Sequence, residues 1–528
     1  MKKSGNSPEK SVLLVLGAGI MQGPALRIAA EMGLKTVAAD ADPNAACIAD
    51  AGRFENIDLK NKEGIEALAR SLAESPAGGL AGIMTAGTDF SATVAWAASK
   101  LGLSSIPYEV ALDASDKERM RGRFKACGVP SPEFIILNKV PDKGFSLPIS
   151  LPVVVKPVDN MGSRGCRAVL NGDELGPAVK EALAFSRSGR VIVEEFMEGP
   201  EFSIDALVYK GEITICGFAD RHIFFPPYFI EMGHTIPSKL NAIEAEPLLQ
   251  AFKQGVKALG IENGAAKGDV KLTPKGPMIG EIAARLSGGY MSGWTFPYSS
   301  GVLVTKGAIE IAIGKKPVDL EPKWNMICAE RAFISIPGKI RSVLGLESAR
   351  VMPYVRDVLL RGGPGDTVNF PENNVSKCGN ILSVAPERED SIKSAEMAAR
   401  SILIRLEPNN TATDEFLSPE PGKVSFPPDA FALSPTLLSA LDALPDPGHR
   451  DPQSFCPFPG LTESGLKDYV GRSVEESLEA VRALTGLPLP VAADKTCEGT
   501  LGRPFWKALI RGGYQGAAYY IDSLEARQ

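Results

Sequence analysis

The sequence holds only three histidines, at 222, 234 and 449, in 528 residues. That count excludes a histidine-rich metal site. Its eight cysteines, at 47, 127, 166, 216, 328, 378, 456 and 497, are scattered, and no two make a C-x-x-C. Neither a zinc knuckle nor a disulfide framework is expected, and reduced thiols fit a cytoplasmic protein. No apolar run approaches the roughly 20 residues that span a membrane. The short run after Lys2 and Lys3 enters a glycine turn without a small-residue cleavage pattern, so it reads as a strand and not as a signal peptide. A net charge of −6 argues against a chain built to grip nucleic acid. There is no G-x-x-x-x-G-K-[ST], no repeat of fixed period, and no low-complexity run beyond proline-rich patches. What is present is an ordinary apolar fraction, 44%, and a length that suggests roughly three or four domains.

Val12–Leu16 is a continuous apolar run of the kind that forms a buried parallel strand. Gly17-Ala18-Gly19 follows, then a helical pattern from Pro24 to Gly33 and strands at 36–40 and 82–87, the latter leading into Thr88 and Asp89. This alternation predicts a parallel α/β domain to about residue 108. A charged helix around Lys117 ends at Gly128, with prolines just after it. Strands follow at 152–157 and 191–196, with the flexible loop Asn160–Gly165 between them. A hairpin over 203–219 turns at Lys210-Gly211. A helix over 241–260, a second hairpin over 268–286 and a helix near 300–313 come next. A smaller mixed region, about 326–410, has a strand at 331–338 and a helix near 390–405. From about 411 the composition shifts to Pro, Ser and Asp, predicting a linker and a helical tail to 528. Trp506, Tyr514, Tyr519 and Tyr520 lie there in no assignable motif. His449 sits in a polar proline-rich stretch and reads as surface.

The second hairpin carries the chemistry. With its turn centred near Lys275, Asp269 faces Glu281 and Lys271 faces Ile279. Lys267, Asp269 and Lys271 then share a face with Glu281 and Arg285, because side chains two apart in a strand point the same way. Two directly opposed carboxylates repel. A divalent cation between them removes that objection, and magnesium takes carboxylate and phosphate oxygens. A solvated strand face laced with Lys–Asp–Glu pairs produces the same pattern. Three other stretches bear on the choice. Lys156 in VVVKP is a strand lysine that calls for an anionic partner. DNMGSRG after it offers backbone N–H groups suited to phosphates. VEEFMEGPE is an extended segment that can meet an adenine edge, with a carboxylate nearby for ribose.

The order of these pieces resembles the ATP-grasp superfamily of carboxylate–amine ligases over roughly residues 10–410, on DK at 116–117, VVVKP, the loop 160–165, VEEFMEGPEFSID at 193–205 and GDVKLTPKGPMIGEIAARLSGG at 268–289. EIAARLSGG is similar to the L-amino-acid (dipeptide) ligase, carbamoyl-phosphate-synthetase-like branch. The resemblance implies a mixed α/β and α+β architecture. A Rossmann-like domain precedes the ATP-grasp core at 1–108. The two-subdomain core follows at 109–325, a small mixed lobe completes it at 326–410, and a linker and helical tail fill 411–528. It implies ATP and Mg2+ as cofactors, with Mn2+ as a substitute. Lys117 and Lys156 would contact phosphates, and Gly162, Ser163 and Gly165 would wrap them. Glu194 and Met197 would bind adenine through their backbone, with Glu195 beside them, and Glu201 would hold the ribose. Asp269 and Glu281 would bind metal, and Arg285 would stabilise the phosphorylated intermediate.

Two positions depart from the superfamily. Ala283 stands where Asn is frequent, and a methyl group cannot ligate a metal; Lys267 stands where His is common. On the substrate side, Glu231 and His234 match an E-x-x-H of the dipeptide-ligase branch, where they would pair with a substrate ammonium and carboxylate. Ser287, Gly288 and Gly289 would bring N–H groups to an anion. An apolar loop with an incidental charge also accounts for 221–238. The implied partners are a small carboxylate and an amine, with no nucleic acid or membrane, in a homodimer as is usual for the superfamily. Two other readings stay open. One is an ATP-binding sensor without turnover, suggested by Ala283. The other is an NAD-dependent oxidoreductase, suggested by the G-x-G-x-x-x-G at 17–23 with Asp40 at the next strand's end.

Overall fold

The computed structural model describes residues 11–75, 78–419, 426–446, 455–489 and 501–526; His449 and Cys497 lie outside them. The chain forms two compact units. One comprises residues 1–222 and 234–328, the other 223–233 and 329–528. The second unit thus takes in a short internal piece, residues 223–233, from within the first.

The first unit opens with β1 (Val12–Leu16), β2 (Lys35–Asp40), β3 (Arg53–Asn56) and β4 (Leu80–Thr85), parallel in the order β3-β2-β1-β4. Every residue of β1 is buried, as its unbroken apolar run requires. Ile65, Leu68 and Leu72 of helix Lys62–Ala73 share its core with Val94, Ala97 and Ala98 of helix Ser91–Lys100. An antiparallel sheet follows, made of β5 (Phe134–Leu137), β6 (Val153–Pro157), β7 (Arg167–Val169) and β8 (Val191–Glu195) in the order β5-β8-β6-β7. Leu175, Ala178, Val179 and Ala182 of helix Leu175–Phe185 cover it.

The remaining strands are β9 (Glu201–Tyr209), β10 (Glu212–Phe224), β11 (Ile230–Ile236), β12 (Asn263–Thr273) and β13 (Gly276–Ala283). Within the first unit they run β13-β12-β9-β10, and β11 is where the chain passes between units. Helices Lys117–Cys127 and Ala242–Leu259 pack Met120, Phe124, Leu248, Phe252 and Val256 into the core under this sheet. Both helices have the ends their sequences call for. Asp116 accepts the Arg119 N–H at 3.1 Å, and Asn241 and Glu244 form a capping box.

The second unit holds β14 (Ile327–Phe333), β15 (Gly338–Leu344), β16 (Val355–Leu360), β17 (Thr367–Val368), β18 (Gly379–Ala385) and β19 (Leu403–Leu406). Three of them run β14-β18-β16 and the other three β17-β15-β19. The strand expected over 331–338 stops at Phe333. Beyond it, the Ile336 N–H goes to the Gln515 side chain, at 3.2 Å, and not to a neighbouring strand. The tail forms helices, including Val474–Thr485 and Arg503–Glu525, around the buried Trp506. It is bonded into the preceding lobe. Tyr514 Oη accepts from the Ile404 N–H at 2.9 Å, Gln515 Nε2 donates to Ser335 Oγ at 2.8 Å, and Arg405 Nε pairs with Asp522 at 2.8 Å. Composition changes near 411; packing does not. Among the described residues no helix is long and apolar enough to cross a membrane.

Candidate functional site

The second hairpin turns at Pro274-Lys275. Thr273 pairs with Gly276, Lys271 with Met278 and Val270 with Ile279; the register then shifts, so that Asp269 faces Glu281 and Lys267 faces Ala283. The metal-binding pair is opposed as expected, but Lys271 faces Met278 and not Ile279. The turn is centred between Pro274 and Lys275, half a residue before the expected centre, which sets Lys271 opposite Met278; Gly280, an extra residue on β13, then forms a bulge that restores Asp269 opposite Glu281. On the other side of β12, Glu201 faces Lys271, and Asp205 faces Lys267.

Cations crowd this face. Arg221 Nη1 lies 2.7 Å from Asp269 Oδ1 and also pairs with Glu201. Lys267 Nζ pairs with the second Asp269 oxygen. Lys117 Nζ lies 3.5 Å from Glu281 Oε2 and donates to the Asn160 carbonyl at 2.8 Å. Lys271 Nζ donates to the Met197 carbonyl at 3.0 Å and approaches Glu201 at 3.7 Å. Burial works to raise the Glu281 carboxyl, but Lys117, Lys267, Lys156 and Arg285 outweigh it and hold the group at about 2, below its ordinary 4.5. A carboxyl depressed on folding contributes stability above its unfolded value and loses it as pH falls through the folded one. Glu281→Gln is therefore expected to flatten the stability–pH curve between about pH 4.5 and 2. Denaturation midpoints of both chains across that window check this.

Behind the hairpin sits a buried trio. Glu194, 2% exposed, is ion-paired with Lys156 Nζ at 2.6 Å and with Arg121 Nε at 2.8 Å, and Arg121 has no exposed surface. Arg121 also donates to the Gly280 carbonyl at 2.6 Å, which ties it to the bulge. Burial disfavours the Glu194 carboxylate, but Arg121 and Lys156 keep it below its ordinary range. The anionic partner that Lys156 calls for is thus a residue of the chain itself. The Glu194 backbone lies inside the sheet, in register between Phe134 and Val154. That corrects its expected part in adenine binding. At and beyond the strand's end, the Glu195 N–H donates to the Glu133 carbonyl at 2.9 Å and the Met197 carbonyl accepts Lys271, so the Glu195 carbonyl and the Met197 N–H are what these two residues can offer an adenine edge. The Glu195 side chain pairs with Lys275.

The loop 160–165 turns through Gly162 (φ 68°), Ser163 (φ 60°) and Gly165 (φ 67°). The Met161 and Cys166 N–H groups are bonded within the loop, so the N–H groups between them are the ones it can turn to an anion. A side chain at Gly165 would meet the Phe185 ring at 2.9 Å, so the loop lies tight on its supporting helix. Burial pushes the neighbouring Cys166 thiol up to about 11 against the pull of Lys156 and Lys117, so it is no nucleophile at neutral pH.

Arg285 follows the hairpin. It is 9% exposed, donates to the Leu286 carbonyl at 3.0 Å and lies 3.9 Å from Asp89 Oδ1. Ser287 gives its hydroxyl to buried Asp205, which also accepts Ser292 at 2.6 Å, so its side chain is structural. Gly288 is close-packed on Gly87, and Gly289 has a positive φ of 61°. His234 is fully buried, its Nε2 2.7 Å from Thr295 Oγ1. Glu231 belongs to the other unit, where its N–H donates to Asn374 at 2.8 Å and its carbonyl accepts Lys377 at 2.7 Å. The stretch 230–236 is a strand and not a loop. Residues three apart on a strand face opposite ways, so the Glu231 and His234 side chains leave this strand on opposite faces.

The first glycine turn is filled by the chain. Ala18 N–H donates to Asp40 Oδ2 at 2.8 Å, and the Gln22 side chain lies where a Cβ on Gly17 would be, 2.8 Å from its Cδ. Asp40 and the turn are occupied by internal contacts, and nothing in them favours a dinucleotide. Three site residues were not foreseen: Arg121, Arg221 and Asp205. Arg121 had a signal, since it lies four residues after Lys117 on one helix face.

Asp269 and Glu281 supply hard oxygen donors side by side, which fits magnesium with phosphate oxygens completing its shell. Among the described residues no three or more His, Cys, Asp or Glu side chains group to hold a metal on their own, and Ala283 is buried and ligand-free by chemistry.

Residues 149–293 match the family model of the ATP-grasp domain, and residues 332–407 match that of the L-amino acid ligase C-terminal domain 2. An uncharacterized protein, y4rH, of Sinorhizobium fredii is 25% identical over 342 residues, 64% of this chain and 70% of that one. The D-alanine–D-alanine ligase of Marinobacter nauticus is 34% identical over 131 residues, covering 24% of this chain and 39% of the ligase, so the match spans less than half of that relative. The L-amino acid ligase of Bacillus licheniformis superposes with a TM-score of 0.67 at 20% identity, over 76% of this chain and all of that one. It shares the fold.

Proposed function

We propose, from the premise that this chain belongs to the ATP-grasp superfamily and carries an L-amino acid ligase C-terminal domain, that it activates a small carboxylate with ATP and couples it to an amine. The observation that carries this is the opposed pair Asp269 and Glu281 inside a ring of lysines and arginines. Magnesium bound there, with manganese as a substitute, would draw charge from the transferred phosphoryl group.

The chain's residues do the rest by position and charge. Lys117 and Lys156 meet phosphate oxygens, and the loop 160–165 folds over them and excludes water, which would hydrolyse an acyl phosphate. Glu195 and Met197 meet adenine, and Glu201 the ribose. Arg285 counters the charge on the phosphorylated carboxylate. Glu231 is assigned to a substrate ammonium, and the Gly288–Gly289 backbone to a substrate anion. His234 supports its strand from within. Amino acids are the substrate class this set favours. The proposal includes a cytoplasmic setting and a homodimer.

Phosphate release over a panel of carboxylate and amine pairs tests the reading. ADP and phosphate should form only when both partners are present. A second reading has its own support: Arg221 and Lys267 already neutralise Asp269, and Ala283 adds no ligand. Tight ATP binding with no ADP from any pair would favour that reading, a nucleotide sensor.

A further inference from the structure

Asp89 has no role in the proposed reaction beyond its nearness to Arg285. It lies just past the carboxyl end of β4, the edge where parallel sheets receive ligands. Its loop is fixed to the segment that carries Arg285: Ala86 bridges Leu286, and the Gly87 N–H donates to the Leu286 carbonyl at 3.3 Å. A side chain at Gly87 would strike Met21 at 2.7 Å, so the loop has little freedom to move away.

The two side chains leave a slot between them. Arg285 Nε is buried and makes no hydrogen bond. Asp89 Oδ1 is 3.9 Å from it, beyond hydrogen-bond reach. Among the described residues Arg285 is the only cation in salt-bridge range of Asp89. A buried donor without a partner is costly, and the Asp89 carboxylate beside it, 14% exposed, does not satisfy it; a ligand that matches both groups relieves the cost. Such a ligand brings a cation to Asp89 and an anion to Arg285.

The proposed reaction contains that pair of charges. The activated carboxylate is anionic, and the attacking amine arrives as an ammonium. We infer that Asp89 holds this ammonium and takes its first proton. The inference rests on the ligase reading. The freed lone pair forms the C–N bond while the C–O bond to phosphate breaks with its electron pair. A second N–H proton leaves with the phosphate, and the proton on Asp89 passes to solvent. The products are amide, hydrogen phosphate and one proton. Burial favours the protonated form of Asp89, partly opposed by Arg285; Glu281 raises it further and Lys117 and Arg187 lower it. The net direction is upward, which makes it a better proton acceptor than an exposed carboxylate.

Hydroxylamine separates this role from a structural one, because it is largely uncharged at neutral pH and attacks acyl phosphates without a base. In the full chain, with a carboxylate found in the phosphate screen, Asp89→Asn should lower amide synthesis roughly a hundredfold and raise the KM for the amine, with hydroxamate formation and the KM for ATP changed by less than about threefold. Equal loss of amide and hydroxamate, or no loss of either, overturns the inference. A wild-type chain that forms neither product overturns the ligase reading and this inference with it. Should Asn at 89 cost the fold, seen as lost ADP binding, Asp89→Glu decides. Retained amide synthesis supports the role, and amide and hydroxamate lost alike overturn it.

Discussion

Replacing Glu281 by glutamine should lower ADP formation roughly a thousandfold, with little change in the KM of either organic substrate. Glutamine keeps the size of the side chain and one acceptor oxygen. It removes the charge that faces Asp269 and answers Lys117. The site then holds the same cations with one fewer anion. Metal affinity falls because a neutral amide is a poor ligand for magnesium. Lys117 also loses its fixed counter-ion; burial opposes its charge, and Glu281, with Asp89 and Glu194, is what keeps its ammonium favoured. A variant that retains more than a tenth of the wild-type rate would remove Glu281 from the reaction. Steady-state rates at saturating magnesium and at tenfold less distinguish weakened metal binding from lost catalysis.

The second large effect is on stability. Glu194→Ala leaves Arg121 and Lys156 charged and unanswered in the interior, which should cost about 3–5 kcal/mol. Lys156→Met should cost less, because Glu194 keeps Arg121. Hydrogen exchange over 134–195 is the suitable readout, since a chain of two compact units need not unfold in one step. Equal protection in wild type and Glu194→Ala would mean that the trio contributes nothing to the sheet. Loss of nucleotide binding should accompany loss of protection, because Lys156 is held by the same carboxylate.

How far the site could be read in advance turns on strand register. Asp269 and Glu281 were expected to face each other from a turn centred on Lys275. The centre lies between Pro274 and Lys275, and the bulge at Gly280 restores the pairing. The same expectation failed for Lys271, on the turn side of the bulge. The first hairpin shows the cost of such a shift. Near its turn Tyr209 faces Glu212, and an unbroken ladder would set Glu201 opposite Asp220. The shift between Ile215 and Gly217 sets it opposite Arg221 instead. One residue of slip exchanges a repelling pair for an ion pair, and no local pattern announces it.

The parallel sheet was plain in its apolar runs, and the helix at 117–127 in its ending at Gly128 with prolines just after it. Glu231 and His234 were set on one substrate by the match to an E-x-x-H, a spacing that says nothing about direction until the backbone is known. In the strand their segment forms, spacing of three separates them. The tail looked separate because composition changes at 411. Its attachment runs through Tyr514, Gln515 and Asp522, polar groups whose partners lie more than a hundred residues away.

The opposed carboxylates of the second hairpin are the centre of the account, and calorimetric binding of ADP with and without magnesium tests them most directly. Magnesium should tighten ADP binding to the wild-type chain at least about tenfold, and this gain should fall below about twofold in Glu281→Gln. An equal gain in both chains, or no binding of ADP to the wild-type chain, would contradict the account.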